Sequence, residues 1–396
     1  MSPLRLLIAT VCLLLCGHAY AGVINVPQDY VLIQEAVDAS SNGDIIKIAP
    51  GTYYEHQIET GNRSIAIVGA TNGNGSQATV IDANGLGSVF LIEASLNTFL
   101  VLENLRIVNG DSYDGGGVDS SKCNIHIVNC DISNNFANRG GGIWSTYGSL
   151  HLEDCLLANN TSTDSGGGIR KNDGSLIISR SEFSGNFAQG SGGGIHTSDV
   201  SEVLIEASIF TENVSNTFGG GSRFRNGSKV MIDDCAYLYN TARFNGGAID
   251  YRSLSLQISN SNLSHNTSEN YGGGIYADSS VLLLSNCLVQ RNSSTFGGGI
   301  YAEDQWQKIG LLSTEICSNV PDQIDAKWEG LGSTVMEHCP YCSGDASGDG
   351  FIDVNDILYV LSTWGSDDAN ADFDENGLIN VDDVLILLSN FGSACP

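Results

Sequence analysis

Two short phrases recur in step along most of this chain, and they constrain its fold more than any other feature. The first is a glycine pair or triplet followed by one residue that is nearly always apolar. It ends at Val118, Ile143, Ile169, Ile195, Ser222, Ile249, Ile275 and Ile300, at intervals of 25, 26, 26, 27, 27, 26 and 25 residues. The second is a large apolar residue, two variable ones, then Asn. It runs Ile132 to Asn135, Leu157 to Asn160, Phe183 to Asn186, Phe210 to Asn213, Tyr237 to Asn240, Leu263 to Asn266, Val289 to Asn292 and Ile316 to Asn319. Asn109 is read as the same position one turn earlier. A unit of this length cannot enclose a core alone. It holds brief alternating runs such as Ser149-Leu150-His151-Leu152 instead of helical stripes. Units of that kind stack as a parallel β-helix, each turn ~4.8 Å above the last.

Stacking gives each repeated residue a task. The phrase-final residues form an inward aliphatic column, the glycines a sharp corner, and the asparagines a ladder that satisfies buried backbone there. Five residues before each Asn lies a column of small residues: Cys130, Cys155, Ser181, Ser208, Cys235, Ser261 and Cys287. Buried free thiols are expected there, with Cys130 and Cys155 as the pair best placed for a disulfide. Upstream, Ile33, Ala36 and Val37 share one face of a predicted helix that plugs the first rung and blocks end-to-end strand pairing. The strand Ile45–Ile48 follows it.

The run Val26 to Glu55 resembles the opening of the pectin-lyase-like right-handed β-helix superfamily. The glycine-Ile and apolar-x-x-Asn phrases resemble the repeats of polymorphic outer-membrane proteins. Together these resemblances span residues 23–320 and imply an all-β, right-handed parallel β-helix.

Composition narrows the setting. Residues 1–21, with Arg5, an apolar run and Ala19-Tyr20-Ala21, read as a secretory signal. The run is too short for a membrane span, and no later segment offers one. The formal charge of −28 disfavours nucleic acid and anionic membranes and favours cations. A secreted or cell-surface bacterial protein, a monomeric rod, is the expectation. Oxidising surroundings permit disulfides.

The last segment differs. From Ser343 onward there are 11 acidic residues and no Lys or Arg. Asp345, Ser347, Asp349, Gly350, Ile352, Asp353 and Asp356 recur 27 residues later as Asp372, Asp374, Asn376, Gly377, Ile379, Asn380 and Asp383. A 12-residue calcium loop takes oxygens at positions 1, 3, 5, 9 and 12 and a carbonyl at 7, with glycine at 6. The predicted ligands are Asp345, Ser347, Asp349, Phe351, Asp353 and Asp356 for one ion, and Asp372, Asp374, Asn376, Leu378, Asn380 and Asp383 for a second. The apolar residue at position 8 of each loop, Ile352 and Ile379, is expected to pair the loops through a short strand contact. Ile357, Leu358 and Leu361, then Val384, Leu385 and Leu388, mark helices after each loop. Cys342 and Cys395 bracket the module and are expected to be joined, with Cys339 as a competitor. The duplicated loop-helix layout with Asp at position 12 resembles dockerin modules, an EF-hand-like α-helical fold. That resemblance implies a cohesin-like or cell-surface anchoring partner. The organisation expected is 1–21 signal, 22–338 β-helix, 339–344 linker and 345–396 calcium module.

The residue after each phrase-final position should face outward: Asp119, Trp144, Arg170, His196, Arg223, Asp250, Tyr276 and Tyr301. Two residues on lie Asn172, Ser198, Arg225, Arg252, Asp278 and Glu303. Rings suit stacking on sugars, and guanidinium groups suit carboxylate or sulfate. Trp144, Arg170, His196, Arg223, Arg225 and Tyr276 are therefore candidate polysaccharide contacts. Two functions stay open: a non-catalytic polysaccharide-binding or adhesive surface protein, and a polysaccharide lyase or glycoside hydrolase. An enzyme would draw on Arg223, Arg252 or Asp250, a hydrolase needing two carboxylates at set separation. Outward arginines and aspartates on stacked rungs also form plain salt-bridge ladders. The seven histidines show no metal-ligand spacing.

Overall fold

The computed structural model describes residues 22–227, 229–278, 281–303, 308–336, 344–347, 351–366, 368, 371–374 and 376–392. The chain divides into two compact units, Met1–Glu337 and His338–Pro396.

In the first unit one turn of chain makes four short strands, as in Asn124–Val128, Asp131–Ser133, Phe136–Arg139 and Ile143–Thr146. Each pairs in parallel with its equivalent one turn on. The described strands thus form four sheets, here numbered in the order the chain visits them. Sheet 1 has 13 strands, sheet 2 has 12, sheet 3 has 7 and sheet 4 has 11. The first unit is a parallel β-helix.

Its interior is a set of columns. Val118, Ile143, Ile169, Ile195, Ser222, Ile249, Ile275 and Ile300 are in register on sheet 4 and fully buried. Burying one such Ile contributes about 1.5–3 kcal/mol. Ser222 departs from the pattern because the core changes beside it. Phe183, Phe210 and Tyr237 stack at 4.7 and 4.4 Å, and the Tyr237 hydroxyl lies 3.2 Å from Ser222 Oγ.

The asparagine column is a hydrogen-bond ladder. From Asn135 to Asn292 each Nδ2 donates to the Oδ1 of the next Asn and to a carbonyl of the previous turn; Asn160 does so to Asn186 at 3.0 Å and to Ile132 at 2.8 Å, and Asn319 ends the ladder on Gln323 Oε1 at 2.8 Å. The backbone N–H groups of Asn135 to Asn292 also donate to the next Oδ1. The first rung corrects the reading of Asn109. That residue is exposed with φ 57°, matching Asn134, while Gly110 takes the ladder position and donates its N–H to Asn135 Oδ1 at 2.9 Å. The column of small residues works similarly, Ser181 Oγ accepting from the Cys155 N–H at 3.1 Å. Cys123, Cys130, Cys155, Cys235 and Cys287 are free and buried, so Cys130 and Cys155 do not pair. Cys317 is disulfide-bonded, and not to any of those five. Cys339, Cys342 and Cys395 lie outside the described residues.

The glycine corner is obligatory for two reasons. Gly166 has φ 70°, which L residues rarely adopt, and a Cβ on Gly141 would lie 2.5 Å from the carbonyl of Gly167 on the next rung.

Helix α1, Ile33–Ala39, covers the first rung with Ile33, Ala36 and Val37 buried, as its spacing predicts. Leu32 at its N-cap offers no side-chain acceptor; Glu55 from the next segment accepts the N–H groups of Ile33 and Gln34 at 2.8 and 3.0 Å instead. Gln34 exchanges two hydrogen bonds with the backbone of Glu59 and so occupies the free edge of the strand Ile58–Glu59.

In the second unit, α2 (Val354–Ser362) and α3 (Val381–Ser389) each begin with a complete capping box, Asp353 with Asp356 and Asn380 with Asp383. Ala346, Ile352, Val360, Ala371, Ile379 and Leu387 form its core. Ile352 and Ile379 are not bonded to one another as expected. Each bonds instead across to the turn after the other loop's helix: Ile379 N–H donates to Ser366 O and its carbonyl accepts from Gly365, while Ile352 O accepts from Gly392. Ile357 and Val384 pack on the core, but Leu358, Leu361, Leu385 and Leu388 are exposed.

Candidate functional site

The predicted outward column is a true ladder. Asp119, Trp144, Arg170, His196, Arg223, Asp250, Tyr276 and Tyr301 pair in that order along sheet 4. Their environment, however, is not that of an open strand face. Side chains from the corner between sheets 3 and 4 fold over its middle. Arg223 lies with its guanidinium 4.4 Å from the Phe218 ring centre, donates to Ser191 Oγ, and pairs with Asp250 at 3.1 Å. Arg252 pairs with the same carboxylate at 3.3 Å and sits between Phe218 and Tyr276 at 5.0 and 4.8 Å.

Asp250 is consequently fully buried, and His196, Arg223 and Tyr276 are nearly so. Burial pushes the Asp250 carboxyl up while its two guanidinium partners pull it back. Burial, helped by Arg170 and Arg223, holds His196 well below the usual histidine range. Arg223 is drawn down to about 10 by burial, with Asp250 opposing. These four residues therefore do not line an open groove. Arg223, Asp250 and Arg252 spend their charges on one another, which leaves none of them as a free base.

The start of the face, and Tyr301 at its far end, are more open. Near its start, Arg139 grips Asp114 with two bonds of 2.6 Å and lies over Tyr113 and Trp144 at 5.4 and 5.2 Å. Tyr113 is 70% exposed, and the buried Trp144 Nε1 has no hydrogen-bond partner. Asp119, beside Trp144, has its carboxyl raised to about 7 by burial and by the negative charges of Asp114 and Glu93, against Arg139. Arg170 is half-buried and bonds Asn172 at 3.0 Å and Ser165 Oγ. Arg225 is exposed. At the far end Tyr276 stacks on Tyr301 at 5.8 Å and donates to Glu303, with Tyr271 4.5 Å from Tyr301. Tyr113 and Arg139 escaped the sequence reading because they come from sheet 3; their 25-residue offsets from the neighbouring rungs are the signal that could have placed them.

The loops of the second unit gather oxygen. Asp372, Asp374 and Asp383 each bring a carboxylate oxygen within 4.8 Å of the others. Asp383 is fully buried, its oxygens accepting from the N–H groups of Phe373 and Asn380 at 2.7 and 2.9 Å. Asp372 accepts from Gly377 at 2.7 Å, and Asn376 Nδ2 donates to Asp374 at 2.7 Å. The Leu378 side chain is exposed, leaving its carbonyl, which accepts from Asn380 Nδ2 at 3.0 Å, as its polar contribution. In the first loop Asp356 is fully buried and accepts from Ser347 and Asp353 at 2.8 and 2.7 Å. Asp345 lies 3.5 Å from Ser347 Oγ, and the Phe351 side chain is exposed. Asp349 lies outside the described residues. Carboxylates this close repel one another, and no Lys or Arg from Ser343 onward can offset them. An all-oxygen set of this kind fits a hard divalent cation.

A family model described as right handed beta helix region matches residues 153–311. The first unit is a right-handed β-helix. Among solved structures, a pectin methylesterase from Aspergillus niger is similar at 12% identity, covering 84% of this chain and 97% of that one, with a TM-score of 0.31. The A-module of a mannuronan C-5 epimerase from Azotobacter vinelandii is similar at 14% identity, covering 81% and 97%, with a TM-score of 0.35. Likenesses this distant say nothing of the chemistry of this chain. Comparison with curated protein sequences gives no match. No helix of the described residues is long and apolar enough to cross a membrane.

Proposed function

We propose that this is a secreted, calcium-binding β-helix protein that holds an acidic polysaccharide against the outer face of sheet 4. The observation that carries the reading is the open cluster of Tyr113, Trp144 and Arg139 at the start of that face, followed by Arg170 and Arg225. Rings there offer stacking surfaces for sugars, and the guanidinium groups of Arg170 and Arg225 suit carboxylate or sulfate, while Arg139 is held by Asp114. The ion-paired Arg223, Asp250 and Arg252 fill the middle of the face. Binding of a polyuronate by the untagged chain should weaken more than tenfold in Trp144→Ala and Tyr113→Ala; unchanged affinity in both would remove the reading.

The second unit is the proposed attachment point. Calcium, when bound, supplies the positive charge that the two acidic loops lack. Asp372, Asp374, Asn376, Asn380, Asp383 and the Leu378 carbonyl would hold one ion. Asp345, Ser347, Asp349, Asp353, Asp356 and the Phe351 carbonyl would hold the other. Val354, Leu358 and Leu361 on α2, and Val381, Leu385 and Leu388 on α3, form matching exposed apolar stripes. Such stripes suit a cohesin-like anchoring partner.

One observation favours a second reading, a polysaccharide-cleaving enzyme. The Asp119 carboxyl, raised to about 7 beside Trp144, keeps a protonated fraction at neutral pH, as a general acid needs. Asp119→Asn that still binds glycan but no longer cleaves it would establish this reading. Absence of cleavage by the parent chain would eliminate it.

A further inference from the structure

The geometry points to a transition-metal site on the outer face of sheet 1, formed by His126, His151 and Glu153 and suited to a zinc-like ion. His126 and His151 sit directly opposite each other on neighbouring parallel strands. Their rings stack with centres 4.3 Å apart and planes within 10°. Glu153 lies in register with Val128 on the same pair of strands, so its side chain reaches the same patch. One ligand atom from each of the three residues falls within 4.8 Å of the others. His126 Nε2 is 3.3 Å from Glu153 Oε2. Two donors on a tetrahedral zinc ion, each ~2.0–2.1 Å from the metal, lie about 3.3 Å apart.

Three further observations bear on it. His151 Nε2 is buried and has no hydrogen-bond partner, so it is unused. Arg180 holds the other oxygen of Glu153 and both oxygens of Asp154, which fixes the Glu153 carboxylate and turns Oε2 toward the histidines. Glu103, in register with Val128 on the strand below, adds negative charge. Modest rotation of the two rings converges their nitrogens and leaves a fourth position for solvent. Nitrogen donors separate this site from the all-oxygen loops of the second unit, since imidazole suits zinc, cobalt and copper while calcium takes oxygen.

The test uses the untagged full-length chain in excess calcium, which fills the oxygen loops. Titration with Zn²⁺ should reveal one ion per chain, and Co²⁺ should develop the visible bands of a four- or five-coordinate ion. His126→Gln, His151→Gln and Glu153→Gln should each weaken Zn²⁺ binding more than tenfold and abolish the Co²⁺ bands. Arg180→Met, which frees Glu153, should weaken binding about tenfold. Circular dichroism keeps any misfolded variant out of the comparison, and the three ligand variants stand in for one another. No Zn²⁺ bound in excess calcium, or Zn²⁺ binding unchanged in the folded His126→Gln/His151→Gln variant, would overturn the assignment.

Discussion

Deleting one amide from the asparagine column asks whether that ladder, as well as the apolar columns, holds successive rungs together. Asn213 is fully buried. Its Oδ1 accepts from the N–H and Nδ2 of Asn186 at 3.1 and 2.9 Å, and its Nδ2 donates to Phe183 O and Asn240 Oδ1 at 2.9 Å each. Asn213→Ala removes all four bonds. Two of the partners keep another: Asn186 Nδ2 still donates to Leu157 O, and Asn240 Oδ1 still accepts from the backbone of residue 213. The Asn186 N–H loses its acceptor and stays buried. With ~1 kcal/mol for a typical net bond and ~1–3 kcal/mol for an orphaned buried donor, the expected loss is roughly 3–5 kcal/mol. The exposed Asn216, replaced by Ala, should change stability by less than about 0.5 kcal/mol. Urea unfolding followed by circular dichroism gives the difference, and hydrogen exchange at the Asn186 amide shows whether the defect is local. A loss under about 1 kcal/mol with a still-protected Asn186 amide would refute the reasoning.

Three other outcomes are expected. The Asp119 carboxyl is raised from 3.8 to about 7 in the fold, so the folded state resists its ionisation; stability falls as pH rises from about 4 to 7 and levels off above. Asp119→Asn should therefore be more stable than the parent by roughly 2–4 kcal/mol at pH 8 and nearly equal to it at pH 4, read from unfolding curves at both pH values. Asp250→Ala leaves Arg223 buried without its carboxylate and should destabilise the β-helix by about 3–5 kcal/mol in urea titrations. Chelating calcium should lower the melting midpoint of the second unit and not that of the first, with Asp383→Ala reproducing the effect in calorimetry.

The β-helix was legible in the sequence because stacking forces equivalent residues into one environment. The buried column from Val118 to Ile300 and the asparagine ladder follow from period alone; the same period made Cys130 and Cys155 the pair best placed for a disulfide, yet both are free. Asn109 was misread by one position because the residue before each ladder Asn turns through positive φ, and Asn is favoured there too. The face of sheet 4 was legible as a ladder but not as a surface. Strand alternation gives the direction of Arg223 or Asp250, yet it cannot show Phe218 or Ser191 folding over them from the corner. His126 and His151 looked unrelated at 25 residues apart, although that interval equals one rung and brings their rings into contact. In the second unit, loop spacing located the buried Asp356 and Asp383, while the exposure of Leu358 and Leu385 depends on how two short helices pack.

The central claim is that the aromatic and arginine face of sheet 4 binds an acidic glycan. The measurement that tests it most directly is a titration of the untagged chain, with calcium present, against polyuronate and sulfated glycan panels, alongside Trp144→Ala and an assay for chain shortening. Saturable binding that Trp144→Ala weakens more than tenfold is expected, with the glycan left at its original length. Absence of binding across both panels, or binding that Trp144→Ala leaves untouched, would contradict it.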